Sequence, residues 1–199
     1  MPTGPAETDV ELVRRAAAGD RDAFAAIYER HRTVVYRFAR LMSGSDATAD
    51  DVTQEVFVTL IHTLPSYEPR RAGLLTYLYG VARNVTRNRL RKDRRFVALD
   101  TAASSSALTG DPHAAASRAQ ERTLLRSAIL SLPSRYREAI ILSDVQGLAY
   151  AETARVLQVP VGTVRSRLSR GRQMIAKRLE SADSRGSMST VPRVERCAV

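Results

Sequence analysis

Residues 150–179 read YAETARVLQVPVGTVRSRLSRGRQMIAKRL. Tyr150–Leu157 has the period of a short helix, Gln158-Val159-Pro160 makes a turn, and Val161 opens a longer helix that ends near Leu179. Two helices across a tight turn read as a helix-turn-helix. At 100° per residue, Val164, Leu168, Gly171 and Ile175 share one face of the second helix, and that face must be buried. Ser166, Ser169, Arg170 and Gln173 lie opposite, flanked by Thr163, Arg165, Arg167 and Arg172. From 161 to 178 there are six basic residues and no acidic one. A merely solvated helix face usually mixes both signs. An apolar face that anchors the helix, short polar groups near its start and arginines along the rest are what base edges and phosphates require. Thr163, Arg165, Ser166, Arg167, Ser169 and Arg170 are therefore the expected DNA contacts of this helix.

Upstream, residues 118–180 continue the same helical pattern. Leu124, Leu125, Ala128, Ile129 and Leu132 form one apolar stripe. Pro133 and Ser134 break it, and Arg135 to Asp144 forms the next helix, stopped by Gly147. Before that, 98–117 contains DTAASSSALTGDPHAAAS (Asp100–Ser117), poor in large apolar residues and interrupted by Gly110 and Pro112. It reads as a linker. Residues 181–199, with the single cysteine Cys197, read as a disordered tail.

Residues 10–97 form a second helical unit with no strand alternation. Phe24, Ile27, Tyr28, Val34, Val35, Phe38 and Met42 recur at three-four spacing, with His31 at the missing step. Thr48 and Asp51 suggest a capping box for a helix over 48–63. Its core face is Val52, Val56, Phe57, Leu60 and Ile61. Its other stripe is Asp51, Gln54, Glu55, Val58 and His62, acidic with a valine at the centre, which suits a basic protein partner better than DNA. An ordinary solvated face with one stray valine is an equally good reading of composition alone. A third helix starts near Leu74, with Leu74, Leu78, Val81, Ala82 and Val85 toward the core. Arg83, Arg87, Arg91 and Arg94 are expected to point away from it. Asn84 and Asn88 flank that stripe and could read base edges.

Composition narrows the classes. The 199 residues carry a net charge of +10, and 44% are hydrophobic, which suits packed domains with a polyanionic partner. Residues 83–95 hold seven basic side chains against Asp93, a net of +6, and 161–178 hold +6 more. The remainder then sums to 10 − 12 = −2, so the charge is concentrated in two helices. One cysteine excludes a disulfide framework, and His31, His62 and His113 are too scattered for a metal site. No metal, cofactor, catalytic residue or small-molecule substrate is expected. No signal pattern or apolar run of about 20 residues is present, so a cytoplasmic protein without membrane insertion is expected.

Asp51-Val-Thr-Gln-Glu-Val-Phe57, Tyr77-Leu-Tyr-Gly-Val-Ala-Arg-Asn84, Leu132-Pro133 and Gly162-Thr-Val-Arg-Ser-Arg-Leu168 occur in that order. Together they resemble the extracytoplasmic-function sigma factors of bacterial RNA polymerase, over about residues 10–180. The resemblance implies an all-α protein with a sigma region 2 bundle at 10–97, a linker at 98–117 and a region 4 helix-turn-helix at 118–180. It implies that Asp51, Gln54, Glu55 and Val58 dock on the β′ clamp helices of core polymerase. Arg83, Asn84, Arg87, Asn88 and Arg91, with the loop Ser66–Gly73, would engage and open the −10 promoter element. The helix over Thr163–Arg172 would read the −35 element. The β flap and an anti-sigma factor are further implied partners. Three positions depart from the family pattern: Tyr77 for Trp, Ala149 for a Ser or Thr cap, and Gln158 for a turn glycine. The rival reading is a free-standing helix-turn-helix regulator, which explains 118–180 and leaves the 48–95 constellation without a role.

Overall fold

The computed structural model describes the backbone of residues 7–97 and 114–187 and the side chains of 7–92 and 120–181. The first three helices begin where a short side chain can accept a first-turn N–H, which has no partner inside the helix. Thr8 accepts from Glu11 and opens α1 (Asp9–Ala17). Asp20 accepts from the amides of Asp22 and Ala23 and opens α2 (Arg21–Ser43), which Gly44 ends at φ +80°. Ser45 accepts from Thr48 N at 3.2 Å and opens α3 (Asp46–Thr63). The start of α3 thus differs from expectation. Thr48 is the donor in the first turn and Ser45 is the cap.

A 3₁₀ turn (Leu64–Ser66) and a short loop lead to α4 (Leu74–Val97). Ile27, Val35, Phe38 and Met42 of α2, Val52, Val56 and Leu60 of α3, and Leu78, Tyr79 and Ala82 of α4 meet with no exposed surface. Each large side chain buried this way contributes roughly 1.5–3 kcal/mol. The rings of Phe38 and Tyr79 lie 5.6 Å apart at 55°, and burial pushes the Tyr79 hydroxyl up to about 12. His31 is also buried, with Nε2 3.0 Å from Asp9 Oδ2, and Arg30 donates to the other Asp9 oxygen. These contacts strap α1 across α2. One residue of the expected core face of α3, Ile61, is instead 50% exposed, because it borders an open groove with Phe24 and Tyr28 of α2 and is not closed over.

The second set comprises α5 (Ala114–Ser131), α6 (Ser134–Ile140), α7 (Tyr150–Leu157) and α8 (Val161–Ser187). No strand is present among the described residues. α5 begins inside the stretch read as linker, and α8 continues to Ser187, into the stretch read as tail. The linker over 98–113 and the tail over 188–199, including Cys197, lie outside the described residues. Within α5, Ala128, Ile129 and Leu132 are buried, but Leu124 and Leu125 are 38% and 43% exposed. The apolar stripe thus outruns the buried face, because α5 runs beyond its packing partners. α6 passes into a π-helical turn (Ile141–Val145), with Gln146 N on Ile141 O at 2.9 Å, where a plain helix to Asp144 was expected. Gly147 ends it at φ +75°.

Val164 and Leu168 of α8 are fully covered, as their spacing predicts. Gly171 permits the closest approach: a Cβ there would stand 2.9 Å from Ile140 Cγ1. The two sets also pack on each other. Leu130 lies over Gly44, and Arg137 Nη1 donates to Met42 O at 2.7 Å. α4 lies against α7, with Arg83 between it and α6.

Candidate nucleic-acid and polymerase surfaces

The acidic face of α3 holds Asp51, Gln54, Glu55 and Val58, all exposed, with Val58 at 45%. Arg89 of α4 reaches across and donates to Asp51 Oδ2 at 2.7 Å and to Glu55 Oε2 at 2.9 Å. The bond to Glu55 is the main cause that holds the Arg89 guanidinium above its usual value. The two carboxylates are therefore fixed in place and partly neutralised. Beside them Phe24, Tyr28, Phe57, Val58 and Ile61 line a shallow apolar groove. The outward turn of Ile61 was invisible to periodicity alone.

The basic face of α4 is divided. Asn84, Arg87, Asn88 and Arg91 are exposed. Arg83 is not: it is buried, with Nε 2.9 Å from Glu138 Oε2 and Nη1 3.5 Å from Val156 O. It does point away from the core formed by α2, α3 and α4, as its position on the helix requires. What covers it is the second set of helices, which helix periodicity does not reveal. Below the loop Ser66–Gly73, the Tyr67 and Tyr77 rings meet edge to face at 5.3 Å. Tyr67 donates to Ala72 O at 2.7 Å, and the Tyr77 hydroxyl is 2.6 Å from Thr63 Oγ1. Tyr77 thus supports the loop with a smaller ring and a hydroxyl anchor. Burial raises the Tyr67 hydroxyl above its usual range.

The turn before α8 has the conformation that its residues make costly. Gln158 adopts φ +55°, ψ +48°, and Val159 N closes the end of α7 on Ala154 O at 3.1 Å. At the other end of α7, Ala149 has no side-chain oxygen to offer, and only Glu152 reaches back, 3.2 Å from Ala149 N. On α8, Arg165, Ser166, Ser169 and Arg170 are exposed, while Thr163 and Arg167 are half-buried. Ser166 donates to Thr163 O at 2.9 Å, which leaves its oxygen free to accept. Arg170, followed by Arg135, draws the Tyr136 phenol below its usual range, and the Arg135 guanidinium lies over the Tyr136 ring at 4.7 Å. Arg172 is held by Asp144 through bonds of 2.7 and 2.9 Å, which hold it above its usual value. It is less free for phosphate than its neighbours. Among the described residues no His, Cys, Asp and Glu cluster could hold a metal, and no helix is long and apolar enough to cross a membrane.

Residues 27–96 match the family model for sigma-70 region 2, and residues 122–175 match that for sigma-70 region 4. The ECF RNA polymerase sigma factor SigW of Bacillus subtilis is 30% identical over 177 residues, covering 84% of this chain and 94% of the relative. The ECF RNA polymerase sigma factor SigM of Mycobacterium tuberculosis is 33% identical over 175 residues, covering 86% and 85%. Among solved structures, CnrH in complex with the cytosolic domain of CnrY superposes with a TM-score of 0.67 at 26% identity, covering 88% of this chain and 99% of that one. The sigma factor RpoE in complex with the anti-sigma factor NepR, from Bartonella quintana, gives 0.64 at 25% identity, covering 75% and 91%.

Proposed function

The chain belongs to the extracytoplasmic-function sigma factors of RNA polymerase, and from that premise we propose how its surfaces divide the work of promoter recognition. Asp51, Gln54, Glu55 and Val58 bind the β′ clamp helices of core polymerase. Asn84, Arg87, Asn88 and Arg91, joined by Arg83 once it is uncovered, engage and open the −10 element. Thr163, Arg165, Ser166, Arg167, Ser169 and Arg170 read the −35 element, with the β flap as a further contact of the second set. The functional units run over 10–97 and 118–180. The protein performs no chemistry of its own, and works in the cytoplasm with polymerase. An anti-sigma protein is the expected inhibitor, on the likeness to RpoE.

The observation that carries this reading is the opposition of sign. One exposed face is acidic with apolar Val58 and Ile61 beside it, whereas the outer faces of α4 and α8 are cationic. Phosphate favours the second kind and is repelled by the first. A free-standing regulator would need only α7 and α8 and has no use for the acidic face. Pull-down with purified bacterial core polymerase tests the assignment. The parent protein should bind, and Asp51→Lys with Glu55→Lys should weaken binding at least tenfold while leaving −35 duplex affinity unchanged. Unchanged core affinity would remove α3 as the docking element.

A further inference from the structure

Among the described residues, Arg83 is the one buried arginine and Glu138 the one buried carboxylate, at 8% and 3% exposure, and they are each other's partner. They come from opposite sets of helices. Glu138 Oε2 lies 2.9 Å from Arg83 Nε, and its other oxygen lies 3.7 Å from Arg87 Nε. One buried carboxylate therefore spans two neighbouring arginines of the helix assigned to the −10 element. Oxygens bridging successive guanidinium groups are also how a nucleic-acid phosphate engages such a helix. We propose that Glu138 is an internal stand-in for a DNA phosphate, which latches the second set of helices over α4 and must be displaced before α4 can take promoter DNA.

The energetics suit a latch. A buried ion pair roughly breaks even against the desolvation of its two charges, so it sets a specific closed register without making that register deep. Opening returns both groups to water. Removing one charge leaves the other buried without compensation, and the closed form then suffers more than the open one. The Arg137 bond to Met42 O and the packing of Leu130 on Gly44 fix the same register beside the pair. Because DNA and Glu138 compete for the same two guanidinium groups, affinity for −10 DNA is reduced by the fraction of molecules that are closed.

The inference rests on the −10 assignment of α4, so the test carries a readout that does not. In full-length protein with Cys197→Ser, dyes at Ala26→Cys and Lys177→Cys report the separation of the two sets by energy transfer. Glu138→Gln should raise the ratio of open to closed molecules at least tenfold. Adding Arg83→Gln should restore closure, because the pair is then neutral on both sides; simple loss of packing would make the double variant open further. With core polymerase at limiting protein, Glu138→Gln should initiate faster than the parent, and Arg83→Gln should not. An unshifted transfer efficiency in Glu138→Gln overturns the latch. Opening without faster initiation overturns the competition with DNA. A parent protein that yields no transcript, while Glu138→Gln still opens, overturns the functional reading and leaves the latch standing.

Discussion

Three residues carry costs that a single substitution can expose. Gln158 sits at φ +55°, where an L side chain loses about 1–2 kcal/mol and glycine does not. Glycine's extra freedom in the unfolded chain takes back roughly 0.5–1 kcal/mol. Gln158→Gly should therefore raise stability by about 0.5–1 kcal/mol in urea unfolding, with −35 affinity unchanged. Ala149→Ser should add about 1 kcal/mol by supplying the acceptor that α7 lacks. Gly171 is the reverse case, because its missing Cβ is the space that Ile140 fills. Gly171→Ala gains about 1 kcal/mol of helix propensity but must overpack a covered contact, which costs about 1–3 kcal/mol. A net loss in thermal unfolding is expected. The first two sites were legible in the sequence because turn and cap chemistry is local. Gly171 was legible only as a member of an apolar face, since the side chain it makes room for lies in another helix.

At the scale of the element, the separation of work between α4 and α8 is the claim to test. Replacing Arg165, Ser166 and Arg170 by alanine should abolish preference for the −35 sequence in competition binding, each good base contact being worth about 1–3 kcal/mol. Replacing Arg87 and Asn88 should leave −35 binding intact and reduce opening, read as fewer permanganate-reactive thymines near −10. Normal opening in that variant would take the −10 element away from α4. Periodicity placed the outer faces of α3, α4 and α8 from the sequence, because a face away from one core is usually a face toward water. It failed at Arg83, Ile61, Leu124 and Leu125 for one reason. Their exposure depends on where a neighbouring helix lies, or stops, and the helix's own spacing holds no information about that. The bridge from Arg89 to Asp51 and Glu55 was missed likewise, since it joins residues far apart in sequence.

The whole molecule holds its two sets of helices together, with α4 against α7 and Arg83 sealed by Glu138. Promoter elements two turns of duplex apart are separated by ~70 Å. Residues 98–113, between the described parts, reach at most ~53–58 Å when extended at ~3.3–3.6 Å each. The closed form and the promoter-engaged form must therefore differ, and the domains themselves must span the remaining distance. Deleting about half of 98–113 should abolish transcription from two-element promoters while core binding through α3 persists. Full activity after that deletion would show that this stretch is not the spacer. Run-off transcription on genomic fragments, with purified core polymerase and this protein as the one added factor, tests promoter recognition most directly. Discrete transcripts that require the protein, and that disappear when Arg165, Ser166 and Arg170 are replaced, are the expected result. A protein that binds duplex DNA by itself but yields no transcript with core polymerase would contradict promoter recognition and leave a free-standing helix-turn-helix regulator.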